Sequence, residues 1–154
     1  MFERMNDQTK QLIVDTKDCA VQLGHDYMGT EHFLLAGTKS ESPIVIAVFE
    51  KFGFTFDKVR EQLVAIVPET TRVISSKLSF TPRAKRVIEN SLREAITLRQ
   101  HLQAPEHIML ALYPGEQYRR NDEDRAVAYQ ILVALGVNPE DFRMALLEAI
   151  MDAS

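Results

Sequence analysis

One cysteine, Cys19, in a chain of 154 residues leaves no internal disulfide on which to build a fold. It falls on an apolar helical face, where a thiol serves as a small buried hydrophobe. Positive charge is not in excess either. The 18 Lys and Arg are outnumbered by 22 Asp and Glu, for a formal net charge of −4. Non-specific attraction to nucleic acid or to an anionic membrane is therefore not expected. No apolar run is long enough to span a bilayer, and the opening MFERMNDQTK is polar, which argues against a signal peptide. The compartment these absences point to is the cytosol. Missing too is any GxxxxGK[ST] loop, so nucleotide phosphates find no usual cradle. Serine, histidine and acidic residues are scattered without a glycine elbow, which argues against a hydrolase. The expectation is a chain with no catalytic machinery and no cofactor.

What is present is a repeat. Displaced by 75 positions, Met5 falls on Phe80, Lys10 on Lys85, Ile13 on Ile88 and Ala20 on Ala95. The pair Glu31-His32 then meets Glu106-His107. Further along the offset becomes 83, with Gly53 on Gly136, Arg60 on Arg143 and Leu63 on Leu146. The eight extra residues belong to YPGEQYRRNDEDR, Tyr113 to Arg125, whose Pro, Gly and dense charge read as a solvated loop. The chain is a tandem duplication: repeat 1 over 1–67, a linker over 68–79 rich in Ser and Thr, and repeat 2 over 80–154.

Each half reads as four helices. Leu12, Ile13, Thr16, Ala20 and Leu23 recur at helical spacing, as do Val87, Ile88, Ser91, Ala95 and Leu98. Thr81-Pro82 is a strong start signal, a hydroxyl cap followed by a residue that needs no N–H there. A short helix over Glu31–Ala36 is matched by one over Glu106–Leu112. The third runs from Pro43 to Phe52 and stops at Gly53, as its counterpart stops at Gly136. The fourth opens near Thr55 in one half and Asn138-Pro139-Glu140 in the other. Alternating strand patterns of useful length are missing, and four short helices cannot bury their faces alone. The expected fold is all-α: two tandem four-helix repeats sharing a core about a pseudo-two-fold axis.

LGHDYMGTEHFLLAG, Leu23 to Gly37, resembles the hallmark of the Clp N-terminal repeat of ClpC, ClpA and ClpB unfoldases. SFTPRAKRVIENSLREA, Ser79 to Ala95, is similar to the start of the second repeat in ClpC. The resemblance covers nearly the whole chain, and it implies a pseudo-dimeric helical domain that receives substrates and adaptor proteins. In such unfoldases the domain precedes two ATPase modules. APEH stands here where the second repeat would carry GTEH, which favours a divergent stand-alone protein.

Glu31 follows Thr30 and Glu106 follows Pro105, each at the first turn of a short helix, where free N–H groups and the helix dipole favour an anion. A carboxylate beside that turn can grip a guanidinium with two parallel hydrogen bonds. The resemblance implies phosphoarginine as the ligand, at Thr30 and Glu31 and, more weakly, at Pro105 and Glu106. The plainer alternative is that each glutamate only complements its helix dipole. Phe2 and Phe80 precede the first helix of each repeat, either as staples over the helix start or as an aromatic patch for a peptide. With Lys85 and Glu89 they look similar to the surface on which ClpC domains of actinobacterial type accept cyclic peptides. His25, His32, His101 and His107 show no metal-ligand spacing and read as helix caps or core-edge residues. The partners implied are phosphoarginine-bearing or unfolded proteins, Clp ATPase subunits, adaptor proteins and cyclic peptides. Two roles stay open: a receiver of substrates, or a regulator that docks on Clp ATPases or sequesters ligands from them.

Overall fold

The computed structural model describes residues 2–75 and 77–154. Among them run eight α-helices, four in each half: α1 (Asp7–Gln22), α2 (Thr30–Gly37), α3 (Pro43–Phe52), α4 (Phe56–Ile66), α5 (Pro82–Thr97), α6 (Pro105–Ala111), α7 (Val127–Ala134) and α8 (Pro139–Asp152). Their ends follow from short polar side chains. Asn6, Ser42, Thr55, Thr81 and Asn138 each accept a hydrogen bond from a first-turn N–H, which satisfies a donor the helix leaves orphaned. Pro follows three of these caps directly. Past α3, Gly53 closes the helix at φ 71°, in the left-handed region glycine enters freely.

The two halves do not pack as separate bundles. Helix α3 lies against α6 and α8 of the second repeat, while α7 lies against α2 and α4 of the first. Each repeat lends one helix to the other, and the two exchanges are pseudo-symmetric. Phe33, Leu34, Leu63, Ile108, Leu110, Ile131 and Phe142, from both halves, are all completely buried in one apolar cluster. Neither repeat could close that core alone.

The structure departs from a wholly helical expectation in one small way. Two parallel strands of two residues, β1 (Tyr27–Met28) and β2 (Ser79–Phe80), pair Met28 with Phe80. An isolated bridge pairs Met5 with Gln103. A displacement of 75 carries each pairing into the other, so the approach to each repeat's first helix crosses onto the opposite repeat. Ser79, read from sequence as linker, belongs to the second of these strands.

The linker's first half is strapped down. Thr70 donates its N–H to Leu23 O and its hydroxyl to Gly24 O, at 2.9 and 2.6 Å. Gly24 is at φ +69°, and a methyl built on it would lie 2.3 Å from the Thr70 hydroxyl. Its counterpart Arg99 shares the positive φ, 58°. No strap crosses Arg99, so a side chain is accommodated there.

The connection from α6 to α7 is only in part the solvated loop its composition indicates. It contains two short 3-10 turns and is held at several points. Gly115 N–H donates to the buried Glu94, which also grips Arg143 through both carboxylate oxygens. Asp122 pairs with Arg83 at 3.2 Å and Glu123 with Arg86. Asp122, Glu123 and Arg119 are spent on α5 and α8, while Glu116, Arg120, Asp124 and Arg125 stay exposed.

Candidate ligand cleft

The start of α2 is built around Gly29 and Glu31. Gly29 takes the N-cap position, where its N–H donates 2.9 Å to His32 Nδ1. That fixes the tautomer: His32 Nε2–H donates to His25 Nδ1 at 2.9 Å, and His25 Nε2–H to Pro68 O at 3.0 Å. Burial holds His32 down to about 3, so its ring stays neutral at physiological pH. These histidines cap a helix and anchor the linker, and no group of three His, Cys, Asp or Glu residues among the described residues is placed to hold a metal.

Glu31 is not the exposed first-turn carboxylate that its position indicates. It is 3% exposed. Its carboxylate folds back over the N-cap, so that a methyl on Gly29 would fall 2.2 Å from Oε1. Tyr27 donates its hydroxyl to Oε2 at 3.1 Å. Burial pushes the carboxyl upward, against the opposing pull of its own main-chain N–H, Tyr27 and His25. Burial and the adjacent Glu31 push the Tyr27 phenol up in turn. Among the described residues no Lys or Arg pairs with Glu31. An acid is thus held in a low-dielectric wall without a countercharge.

That wall faces a cleft of about 720 Å³ between the α2 start, α5 and the α6–α7 connection. Its lining brings together Thr30, Glu31, Lys85 and Glu89, four of the residues singled out from sequence. It adds Tyr27, Arg83 and Arg120, which sequence reasoning missed. The break in repeat offset at Tyr113–Arg125 was the available signal for Arg120, since an insertion beside a repeat's ligand-facing helix is placed to reach it. Thr30 plays an unforeseen part: its hydroxyl does not cap α2 but accepts 3.2 Å from Ala128 N, at the start of α7. Helix α7 has no side-chain cap of its own.

The model of the Clp repeat (R) N-terminal domain family matches residues 4–119. The chain belongs to that family. It is 29% identical over its full length to chaperone protein ClpC1, chloroplastic, of Oryza sativa subsp. japonica. It is 31% identical over 150 residues to the ATP-dependent Clp protease ATP-binding subunit ClpC of Staphylococcus aureus. It spans only 16% and 17% of the length of those proteins. Among solved structures, the N-terminal domain of the chaperone ClpD from Arabidopsis thaliana superposes with a TM-score of 0.75 at 26% identity, covering 97% of this chain and 99% of that one. The N-domain of ClpV in complex with a VipB peptide shares the fold, with a TM-score of 0.61 at 20% identity over 93% of this chain and 87% of that one.

The second site of this Clp repeat domain is built differently. Ala104 takes the N-cap place of Gly29, and its β-carbon occupies the space into which a folded-back carboxylate would move. Glu106 turns away and accepts 2.9 Å from the Ser42 hydroxyl of the other repeat. It lines none of the clefts described here. His107 keeps the capping role of His32, accepting 2.8 Å from Ala104 N, but it meets Gln100 where His32 meets His25.

The aromatic residues also separate. Met5, not Phe2, directly precedes the Asn6 cap and is 4% exposed. Phe80 directly precedes the Thr81 cap and stacks on Phe33 at 5.8 Å. Phe2 is 43% exposed, and no ring contact joins it to Phe80. The two therefore do not form a paired aromatic unit: Phe80 is engaged by the core, and Phe2 lies upstream of the matched position.

Proposed function

We propose that this Clp repeat domain is a non-catalytic binding module that receives segments of other proteins in the α2–α5 cleft, with phosphoarginine-marked proteins as its preferred ligands. The observation that carries the reading is Glu31, buried and unpaired beside an open cleft. A guanidinium placed there supplies the missing countercharge through two parallel hydrogen bonds. The gain is large because the carboxylate's desolvation has already been met in folding. The complex described for the ClpV N-domain with a VipB peptide supports peptide capture by this fold. Unfolded segments and adaptor proteins fall in the same class of ligand, and a cytosolic site of action is part of the proposal. Glu106, turned toward Ser42, is proposed as at most a weak second site. Phe2 and Phe80, with Lys85 and Glu89 at the cleft edge, would offer the contacts for larger or cyclic peptides.

Calorimetry with phosphoarginine and with arginine tests the reading. Phosphoarginine should bind the wild type at least about tenfold more tightly than arginine does, and Glu31→Ala should weaken phosphoarginine binding roughly tenfold. An unchanged affinity in Glu31→Ala at unchanged stability would move docking on Clp ATPase subunits to the front.

A further inference from the structure

We propose that the α6–α7 connection turns the α2–α5 cleft into a receptor for an anionic group on the bound peptide, with Arg120, Lys85 and Arg83 as its cationic contacts. The inference rests on the reading that a peptide enters this cleft, and it adds which second charge the cleft selects.

The first support is a census of charge. Of the cations lining the cleft, Arg86 is consumed by Glu123. Arg83 gives Nη2 to Asp122, while its Nη1 and Asp122 Oδ1 are both buried without a partner. Lys85 and Arg120 line the cleft with no carboxylate paired to either among the described residues. Two unpaired cations, Lys85 and Arg120, thus line one space beside Arg83, and a ligand anion would supply the countercharge they lack.

The second support is the pseudo-symmetric position in the first repeat. There Gln8 and Gln11 stand for Arg83 and Arg86, and the α2–α3 connection is only residues 38–42. The cleft at that place, about 500 Å³, is lined by Asp7, Asp15 and Glu41 with Lys39. The same architecture therefore carries opposite charge in its two halves. The anion site belongs to the cleft that Glu31 walls, on the second repeat's side of it, and its Arg120 comes from the inserted residues.

The third support is order. The connection is fastened to α5 by the Asp122 and Glu123 pairs, and Gly115 is fastened to Glu94. Arg120 is thus presented from a held segment, so little ordering entropy opposes binding. An anion seated here with a guanidinium on Glu31 would satisfy both charges of the cleft at once.

The test is fluorescence anisotropy on the whole 154-residue chain. One labelled peptide carries arginine, phosphoarginine, serine, phosphoserine or glutamate at a single position. Wild type is compared with Arg120→Gln, Lys85→Gln and Arg125→Gln; the last makes the same charge change outside the cleft. Phosphorylated peptides should bind more tightly than their unphosphorylated forms. Arg120→Gln should weaken them about tenfold, Lys85→Gln less, and Arg125→Gln hardly at all. Equal losses in Arg120→Gln and Arg125→Gln would overturn the receptor while leaving the Glu31 reading intact. Equal binding of phosphoserine and phosphoarginine, both lost in Arg120→Gln, would uphold the receptor and end the arginine preference. Binding of the glutamate peptide at phosphopeptide strength would uphold it with a carboxylate as sufficient anion. No tighter binding by any anionic peptide overturns it.

Discussion

The starts of α2 and α6 occupy equivalent places in a duplicated chain, yet one is a cleft wall and the other an interior joint. Two substitutions and the Ser42 cap separate them. Gly29 leaves room for the Glu31 carboxylate to fold back, where Ala104 does not. Thr30 lends a hydroxyl to α7, while Pro105 has none to lend, and α3 relies on its own Ser42 cap. Ser42 then gives its proton to Glu106. A duplicated fold can thus keep its packing and divide its labour, because the change that frees one carboxylate for a ligand is local to a single turn.

The largest expected effect tests what the second repeat gained. Glu94 and Arg143 replace the pair Cys19 and Arg60 of the first repeat. Both are nearly fully buried, and Arg143 donates as well to Leu110 O and Tyr113 O. Arg143→Met leaves Glu94 charged and buried, which should cost about 3–5 kcal/mol. Arg60 meets Glu69 at the surface, so Arg60→Met should cost less than about 1 kcal/mol. Urea denaturation of both variants decides the contrast. Similar losses would mean that the α6–α7 connection is not anchored as described.

The histidines give the next effect. Burial lowers His32 from 6.5 to about 3 and His107 from 6.5 to about 4. A folded value below the unfolded one means protons favour the unfolded chain, so stability is intact above about pH 6.5 and falls on acidification toward pH 4. Each histidine adds at most about 1.4 kcal/mol per pH unit. Glu31 runs the other way: its raised value favours the folded state at low pH and offsets part of the loss there. Denaturation at pH 7.5, 6 and 4.5 should show the decline. His107→Gln should shallow it, and an unchanged slope would show that His107 is not the titrating group.

Much of this was legible in the sequence. Ser42-Pro43, Thr81-Pro82, Gly53 and Gly136 punctuate the helices by local chemistry, so their positions follow from residue type alone. The repeat offset implied a shared core. The exchange of α3 and α7 between halves was not legible, because apolar periodicity gives a buried face without naming its partner. The burial of Glu31 was hidden for a related reason. A glutamate at a helix start ordinarily serves the dipole from solvent, whereas this one folds back over Gly29 and against Tyr27. The inserted residues misled only in part: Asp122 and Glu123 looked solvated because their arginine partners lie 39 and 37 residues away.

The ligand contrast between the two sites comes next. Glu31→Ala removes one charge-assisted pair and should cost about 1.5–3 kcal/mol of phosphoarginine binding, or roughly tenfold and more in affinity. Glu106→Ala should leave binding within about twofold, a change of less than 0.5 kcal/mol. Calorimetry on the two single variants separates the sites. Equal losses would mean that both helix starts bind.

The smallest effect is the sharpest test of why the sites differ, since it exchanges single methyl groups. Gly29 sits at φ −107° and ψ −179°, extended backbone that alanine adopts without strain. Gly29→Ala therefore adds no backbone penalty, only a β-carbon 2.2 Å from where Oε1 now lies. The carboxylate must swing off the N-cap, lose the geometry of its Tyr27 bond and leave the position from which it faces the cleft. Alanine is also a poorer N-cap than glycine, so stability should fall by about 0.5–1 kcal/mol. Phosphoarginine affinity should fall about fivefold, less than in Glu31→Ala because the charge remains nearby. The reverse change, Ala104→Gly, should restore room at the second helix start but not binding. Glu106 would still be held by Ser42, and of Arg83, Lys85 and Arg86 only Lys85 has a cationic counterpart, Lys10. Only Ala104→Gly combined with Ser42→Ala should free Glu106. Calorimetry on Gly29→Ala, with a thermal melt as control, carries the decision. Full affinity in that variant would show that the folded-back carboxylate is not the binding form, and the account of how the two sites diverged would fail with it.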